Sequence, residues 1–183
     1  MQALSSVTEY RDPYTAGHQQ RVSKLAADIA RELGLLKDTV DGIRVAGTLH
    51  DIGKISIPAE ILTKPTKLLE IEFGLVKTHS QVGYDILKDI DFPWPVAEAV
   101  LQHHERLDGS GYPRGLKGSA IIPQARVLAV ADVVEAMASH RPYRPAHGID
   151  SALAEIARGS SKLYDAEVAV ACRTLFAEKG YEL

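Results

Sequence analysis

Apolar residues recur every three or four positions along most of the chain, and nowhere do they alternate strictly with polar ones. That spacing lays one apolar stripe along each of a series of helices, so the expected fold class is all-α. Caps and breakers divide the pattern into a bundle of roughly seven helices. The first opens at Asp12–Pro13, an N-cap followed by proline at the first helical position, and closes at Gly34. A second, capped by Asp38, stops near Gly53, and a third runs from about Leu68 to Ile90. Pro93–Trp94–Pro95 breaks the chain before a fourth that ends at His104. Pro123 opens a fifth that ends near His140; two more follow Ile149 and Asp165, with Gly159 and Gly180 as stops.

Two stretches resist this pattern. Residues 53–65 hold Pro58 and Pro65 and fit no more than a short helical turn. Residues 106–123, RLDGSGYPRGLKGSAIIP, pack four glycines and two prolines into one connection. A loop that long inside a compact domain is usually functional, and Tyr112 with Ile121–Ile122 argues against a purely solvated excursion.

Polar residues on the apolar stripes carry the chemistry. His18 leads the row Val22, Leu25, Ile29 and Leu33, and His50 ends the row Val40, Ile43 and Ala46. His79 lies between Leu75 and Val82–Ile86, His103 follows Val96 and Val100, and His104 follows Ala97 and Leu101. Asp132 shares a row with Ala125, Leu128 or Ala129, and Ala136. A lone histidine on an apolar face is usually a satisfied core residue, but a buried carboxylate needs a partner. Several such residues converging from different helices form a site for divalent metal. Imidazole and carboxylate donors without thiolate suit Fe, Mn, Ni or Zn. His50–Asp51 sits where its helix finishes, so both side chains reach one place, and Asp51 is suited to bridge two ions that clamp a phosphoryl group. Lys54, one turn on, is suited to oppose the charge that develops there.

Composition limits what this site serves. Lys+Arg number 21 and Asp+Glu 24, a net charge of −3, so no basic excess is present to neutralise a nucleic-acid polymer. Cys172 is the single cysteine, which excludes an internal disulfide framework and a thiolate-rich zinc site. No apolar run approaches the roughly 20 residues of a membrane span, and the first residues lack a signal-peptide pattern. A cytoplasmic domain is expected.

The runs LHDIGKISIP (residues 49–58), HHERLDGSGYP (103–113), VADVVEAM (130–137) and RPYR (141–144) together resemble the HD-GYP domains, a branch of the HD superfamily of metal-dependent phosphohydrolases. RDPYTAGHQQRV and ILTKP extend the resemblance over roughly Arg11 to Asp165. It implies one HD-GYP domain over residues 1–183, an HD-superfamily helical bundle with a long GYP loop, and hydrolysis of cyclic di-GMP. The motif starts so close to Met1 that either a piece of a larger regulatory protein or a minimal stand-alone domain is expected. Carried over by position, the metal ligands are His50, Asp51, His79, His103, His104 and Asp132, with Asp51 bridging and Lys54 assisting at the phosphate. Tyr112, Arg141 and Arg144 contact substrate, consistent with aromatic stacking on guanine and the guanidinium fork on phosphate.

One departure concerns metal number. Some members carry a glutamate four residues before the equivalent of His18 and bind a third ion; here that position is Tyr14. Two ions, Fe or Mn ahead of Ni or Zn, are therefore expected, with linear pGpG as product ahead of GMP. His18 then backs another ligand or is a core histidine, and Glu135 is the residue that would restore a third site. A second departure replaces the usual phenylalanine-aspartate-proline with Tyr164 and Asp165, read as packing and cap. Expected partners are the cyclic dinucleotide, an upstream sensor or receiver domain, and diguanylate cyclase domains. The alternative reading is a non-catalytic module that binds the dinucleotide or such a partner.

Overall fold

The computed structural model describes residues 17–139 and 148–183. The expected helix start at Asp12–Pro13, and Tyr14, His140, Arg141, Arg144 and His147, lie outside the described residues. α1 (His18–Glu32) buries Val22, Leu25 and Ile29 on one face, as its stripe requires. It closes where Gly34 takes a left-handed backbone (φ 73°), letting the Leu35 N–H reach the Ala30 carbonyl at 3.1 Å. α2 (Lys37–Leu49) has Leu36, not Asp38, at its N-cap; Asp38 sits in the first turn, where it still meets the positive end of the helix. The chain then tightens into a 3-10 turn, Ile52–Ser56, and a short α3 (Ala59–Leu62).

The single helix expected between Leu68 and Ile90 is two: α4 (Glu70–Lys77) and α5 (His79–Leu87). Thr78 causes the break. Its hydroxyl and its N–H both donate to the Leu75 carbonyl, at 2.7 and 3.0 Å, a local bond that competes with helix continuation. The stripe expected around His79 is corrected accordingly. His79 is buried, but Leu75 and Ile86 are 39% and 40% exposed, because α5 packs through Ser80, Gly83 and Leu87 instead. α4 buries none of its residues.

α6 (Val96–Gln102) follows the proline break, and Trp94 lies against Gly42 of α2, where any Cβ would fall 2.5 Å from the ring. α7 (Pro123–Ala138) starts with proline as expected. α8 (Ile149–Gly159) and α9 (Ala166–Lys179) complete the bundle, the latter capped by Asp165, which accepts from the Glu167 N–H at 3.0 Å. Tyr164 is buried in the core, so this pair packs and caps as read from sequence. α1 is central, packed on α2, α7 and α9, while α5 rests on the 3-10 turn and α6. The described residues contain no β-strand, only the isolated bridges Asp108–Lys117 and Ser160–Tyr164. No described helix is long and apolar enough to cross a membrane.

Candidate metal centre

The fold delivers one side-chain cluster from five helices. His18 stands at the start of α1, His50 at the end of α2, His79 at the start of α5, His103 just past α6 and Asp132 within α7. Helix termini dominate because the chain can turn there and aim a side chain inward. Gly53 makes the closest of these approaches possible: a Cβ on it would lie 1.9 Å from the His79 carbonyl oxygen and 2.6 Å from the Gly83 nitrogen. The HD turn and α5 therefore meet backbone to backbone.

Three of the imidazoles are pinned identically. Nδ1 of His50, His79 and His103 lies 2.7, 2.7 and 2.6 Å from the carbonyls of Gly47, Val76 and Val100. A carbonyl only accepts, so each Nδ1 carries the proton and each Nε2 presents a lone pair. The Nε2 atoms of His79 and His103 face each other at 3.4 Å, and the buried Nε2 of His50 has no hydrogen-bond partner among the described residues. Lone pairs converging with no proton between them are what a cation requires, so the donors fit a metal.

Three donor groups result, the atoms within each lying within 4.8 Å of one another: His18–His50–Asp132, His79–His103–His104, and His50–Asp51–His103. Asp51 spans the first two. Its Oδ2 is 3.5 Å from His50 Nε2 and 3.8 Å from His18 Nε2, while its Oδ1 is 3.5 Å from His79 Nε2. Lys54 Nζ donates to Oδ2 at 2.7 Å.

The charges match this division. Burial pushes His79 and His104 down and takes His103 to about 3, so these three rings are neutral and able to donate lone pairs. Burial would raise Asp51 and Asp132, but the Lys54 charge beside Asp51 and the His18 hydrogen bond to Asp132 hold both well below the carboxylate range. His18 differs. Burial opposes its charge, yet hydrogen bonds to Asp132 and Glu135 and the Asp51 charge raise it to about 9. Its Nδ1 is hydrogen-bonded to Glu135 Oε2, leaving Nε2 to face Asp132 Oδ1 at 3.4 Å. Glu135 also accepts from Arg21 Nε at 2.7 Å and Ser139 Oγ at 2.6 Å. Burial would raise it, but the bond to His18 and its charge bring it to about 2.

Tyr112 closes one side of the cluster. Its ring lies 4.7 Å from that of His104, tilted by 32°, and burial together with Asp132 and Asp51 raises its phenol. The loop beneath it is fastened by Glu105, a buried carboxylate that accepts the N–H groups of Arg114 (2.7 Å) and Leu116 (2.9 Å). Gly111 passes so near that a Cβ would sit 2.4 Å from the His104 carbonyl oxygen. The Tyr112–Pro113 peptide is cis.

His18, His50, Asp51, Lys54, His79, His103, His104, Tyr112, Asp132 and Glu135 are thus brought together, while Arg141 and Arg144 fall outside the described residues. Sequence reasoning assigned no role to Glu105, Arg21 or Ser139. Glu105 had a signal in the sequence, an acid directly after two inward histidines, but its backbone partners nine and eleven residues ahead follow no helical period.

An HD domain family model matches residues 2–168. The chain belongs to the HD domain family, and its HD, HHE and GYP motifs place it in the HD-GYP branch. It is 44% identical over 164 residues to the cyclic di-GMP phosphodiesterase response regulator RpfG of Xanthomonas campestris pv. campestris, covering 88% of this chain and 43% of that protein. It is 42% identical over 141 residues to the 3'3'-cGAMP-specific phosphodiesterase 1 of Vibrio cholerae, covering 77% of this chain and 33% of the relative. The chain therefore spans less than half the length of these curated relatives. Among solved structures, the HDG"Y"P protein Bd1817 from Bdellovibrio bacteriovorus superposes with a TM-score of 0.72 at 19% identity, over 87% of this chain and 51% of that one. The fold is thus the HD-GYP helical bundle.

Proposed function

We propose that this chain is a metal-dependent phosphodiesterase domain that hydrolyses cyclic di-GMP to linear pGpG. The observation that carries the reading is the position of Asp51 between two donor triads, with one oxygen toward each. His18, His50 and Asp132 would hold one divalent ion, and His79, His103 and His104 the other. In this reading His18 is a ligand of the two-ion site rather than a remnant of a third, and Glu135 orients it from behind. Glu135 is engaged by His18, Arg21 and Ser139, which argues against its restoring a third site. Imidazole and carboxylate donors suit Fe, Mn, Ni or Zn, and the resemblance to the HD-GYP domains puts Fe or Mn first.

When bound, such ions supply Lewis acidity at the phosphoryl group and lower the pKa of the attacking water. The chain's own residues do the rest. Lys54 keeps its ammonium on Asp51 Oδ2, beside the place where charge develops on the phosphoryl oxygens. Buried, carbonyl-pinned imidazoles hold their lone pairs in place without reorganisation. Tyr112 presents an aromatic face at the edge of the cluster, and Arg141 and Arg144 supply guanidinium forks for phosphate.

The similarity to proteins named for cyclic di-GMP and for 3'3'-cGAMP supports a guanine-containing cyclic dinucleotide, with cyclic GMP-AMP as the second reading. A sensor or receiver domain upstream, diguanylate cyclase domains as partners, and a cytoplasmic location complete the proposal. The test is chromatography of products after incubating the anaerobically iron- or manganese-loaded protein with cyclic di-GMP. Accumulating pGpG supports it; binding without turnover supports the non-catalytic alternative, and dominant GMP overturns the two-ion product.

A further inference from the structure

Beyond Tyr112 the cluster continues outward into residues with no role so far. Phe73, on α4, stands with its ring 6.4 Å from that of Tyr112 and nearly perpendicular to it, at 84°. Lys77, one turn further along α4, places Nζ 5.1 Å from the Phe73 ring centre and 5.9 Å from that of Tyr112. Tyr112 is itself in ring contact with His104 and His79. Phe73 therefore lies two rings out from the donor histidines.

Phe73 is 46% exposed, and its helix buries no residue of its own. Its helix is nonetheless anchored: Glu72 accepts from Lys64 Nζ at 2.7 Å and caps the helix start through the Leu69 N–H at 2.7 Å. A ring nearly half exposed beside the outermost ring of the cluster is a stacking platform, because every base offers a π-face that gains by covering it. The Lys77 ammonium lies over the Phe73 ring and, swung aside on its flexible stem, can meet the paired O6 and N7 acceptors of a guanine stacked there, whereas adenine presents an amino donor in the O6 position.

We propose that Phe73, Lys77 and Tyr112 form a guanine subsite at the mouth of the metal cluster. Phe73 stacks the base and Lys77 selects guanine over adenine. The subsite rests on the phosphodiesterase reading for its substrate, since a base reaches this platform only when its phosphodiester lies at the cluster. Leu69, the N-cap of α4, and Ile71 within it are exposed at 61% and 80%, but neither offers a ring to stack a base and they are not assigned to it.

The test uses the metal-loaded chain and three substrates: cyclic di-GMP, cyclic di-AMP and bis(p-nitrophenyl) phosphate, a diester without a base. Phe73→Ala is expected to raise KM for cyclic di-GMP about 10-fold, so that kcat/KM falls relative to the base-free diester. Lys77→Met is expected to narrow the preference for cyclic di-GMP over cyclic di-AMP about 10-fold. Equal losses on all three substrates, or no change on any, would overturn the subsite. Equilibrium binding of cyclic di-GMP with calcium in place of the loaded metal separates this from the hydrolase reading. Binding that Phe73→Ala weakens, without turnover by the parent chain, leaves the subsite standing and removes the hydrolase. Turnover and binding unaffected by Phe73→Ala do the reverse, and a parent chain that neither binds nor cleaves removes both.

Discussion

In the interior of the cluster, His50, His79 and His103 each hold Nδ1 against a backbone carbonyl three residues back, and all three are buried. At its mouth, Phe73 rides a helix with no buried residue, and Tyr112 sits on a loop fastened by the Glu105 carboxylate and by scattered bonds such as Tyr112 N–H to the His104 carbonyl. The interior is fixed by helix packing, and its directions follow from the helical period. The mouth is fixed by individual loop and side-chain bonds that follow no period. On the proposed reading, the chemistry common to phosphodiesters falls to the part fixed by helix packing, and discrimination among bases to the part that a few substitutions can reshape.

Breaking the interior is expected to have the largest effect. Gly53→Ala would thrust a methyl group into the His79 carbonyl, displacing backbone rather than a flexible side chain. Overpacking commonly costs about 1–3 kcal/mol and backbone contacts leave the least room to relax, so both thermal stability and metal content should fall. A fully loaded Gly53→Ala protein of unchanged Tm would contradict the backbone contact.

Glu135→Gln tests the group behind the ligands. It keeps shape but loses the charge that orients His18, and metal affinity should drop about 10- to 100-fold while the far-ultraviolet dichroism stays helical. Unchanged affinity in a chelator competition would return His18 to the role of a core histidine.

Glu105→Gln tests the mouth. Weakening two charge-assisted bonds to the loop, each worth about 1.5–3 kcal/mol, should raise KM for cyclic di-GMP while the bound-metal count stays the same. Lost metal would place Glu105 with the interior instead.

The smallest effect is on pH. His18, raised to about 9, keeps its proton at neutral pH, whereas His79, His103 and His104 have already lost theirs. A cation must displace that proton, so affinity should strengthen as pH rises toward 9 and level off above it. Affinity independent of pH between 7 and 9 would show that His18 stays outside the metal site.

Much of this was legible in the chain because a helix converts spacing into direction. The rows led by His18 and ending at His50 are buried as their periods require, and Pro123, Asp165 and Gly180 begin, cap and end helices where expected. The row through His79 failed because Thr78 diverts a hydrogen bond and divides one apparent stripe between two helices. His79 reaches the cluster through the helix start that this break creates. The partners of Glu105 and Phe73 were not legible, since they lie distant in sequence, loop backbone for one and the Tyr112 ring for the other. The role of Asp51 came from its motif. What the motif did not contain was that its two oxygens face different triads.

That arrangement is tested most directly by anomalous scattering from crystals of the manganese- or iron-loaded protein, recorded on both sides of the metal edge. Two peaks should flank Asp51, one among His18, His50 and Asp132 and one among His79, His103 and His104. A single peak, or two peaks with Asp51 bonded to neither, would contradict a shared carboxylate.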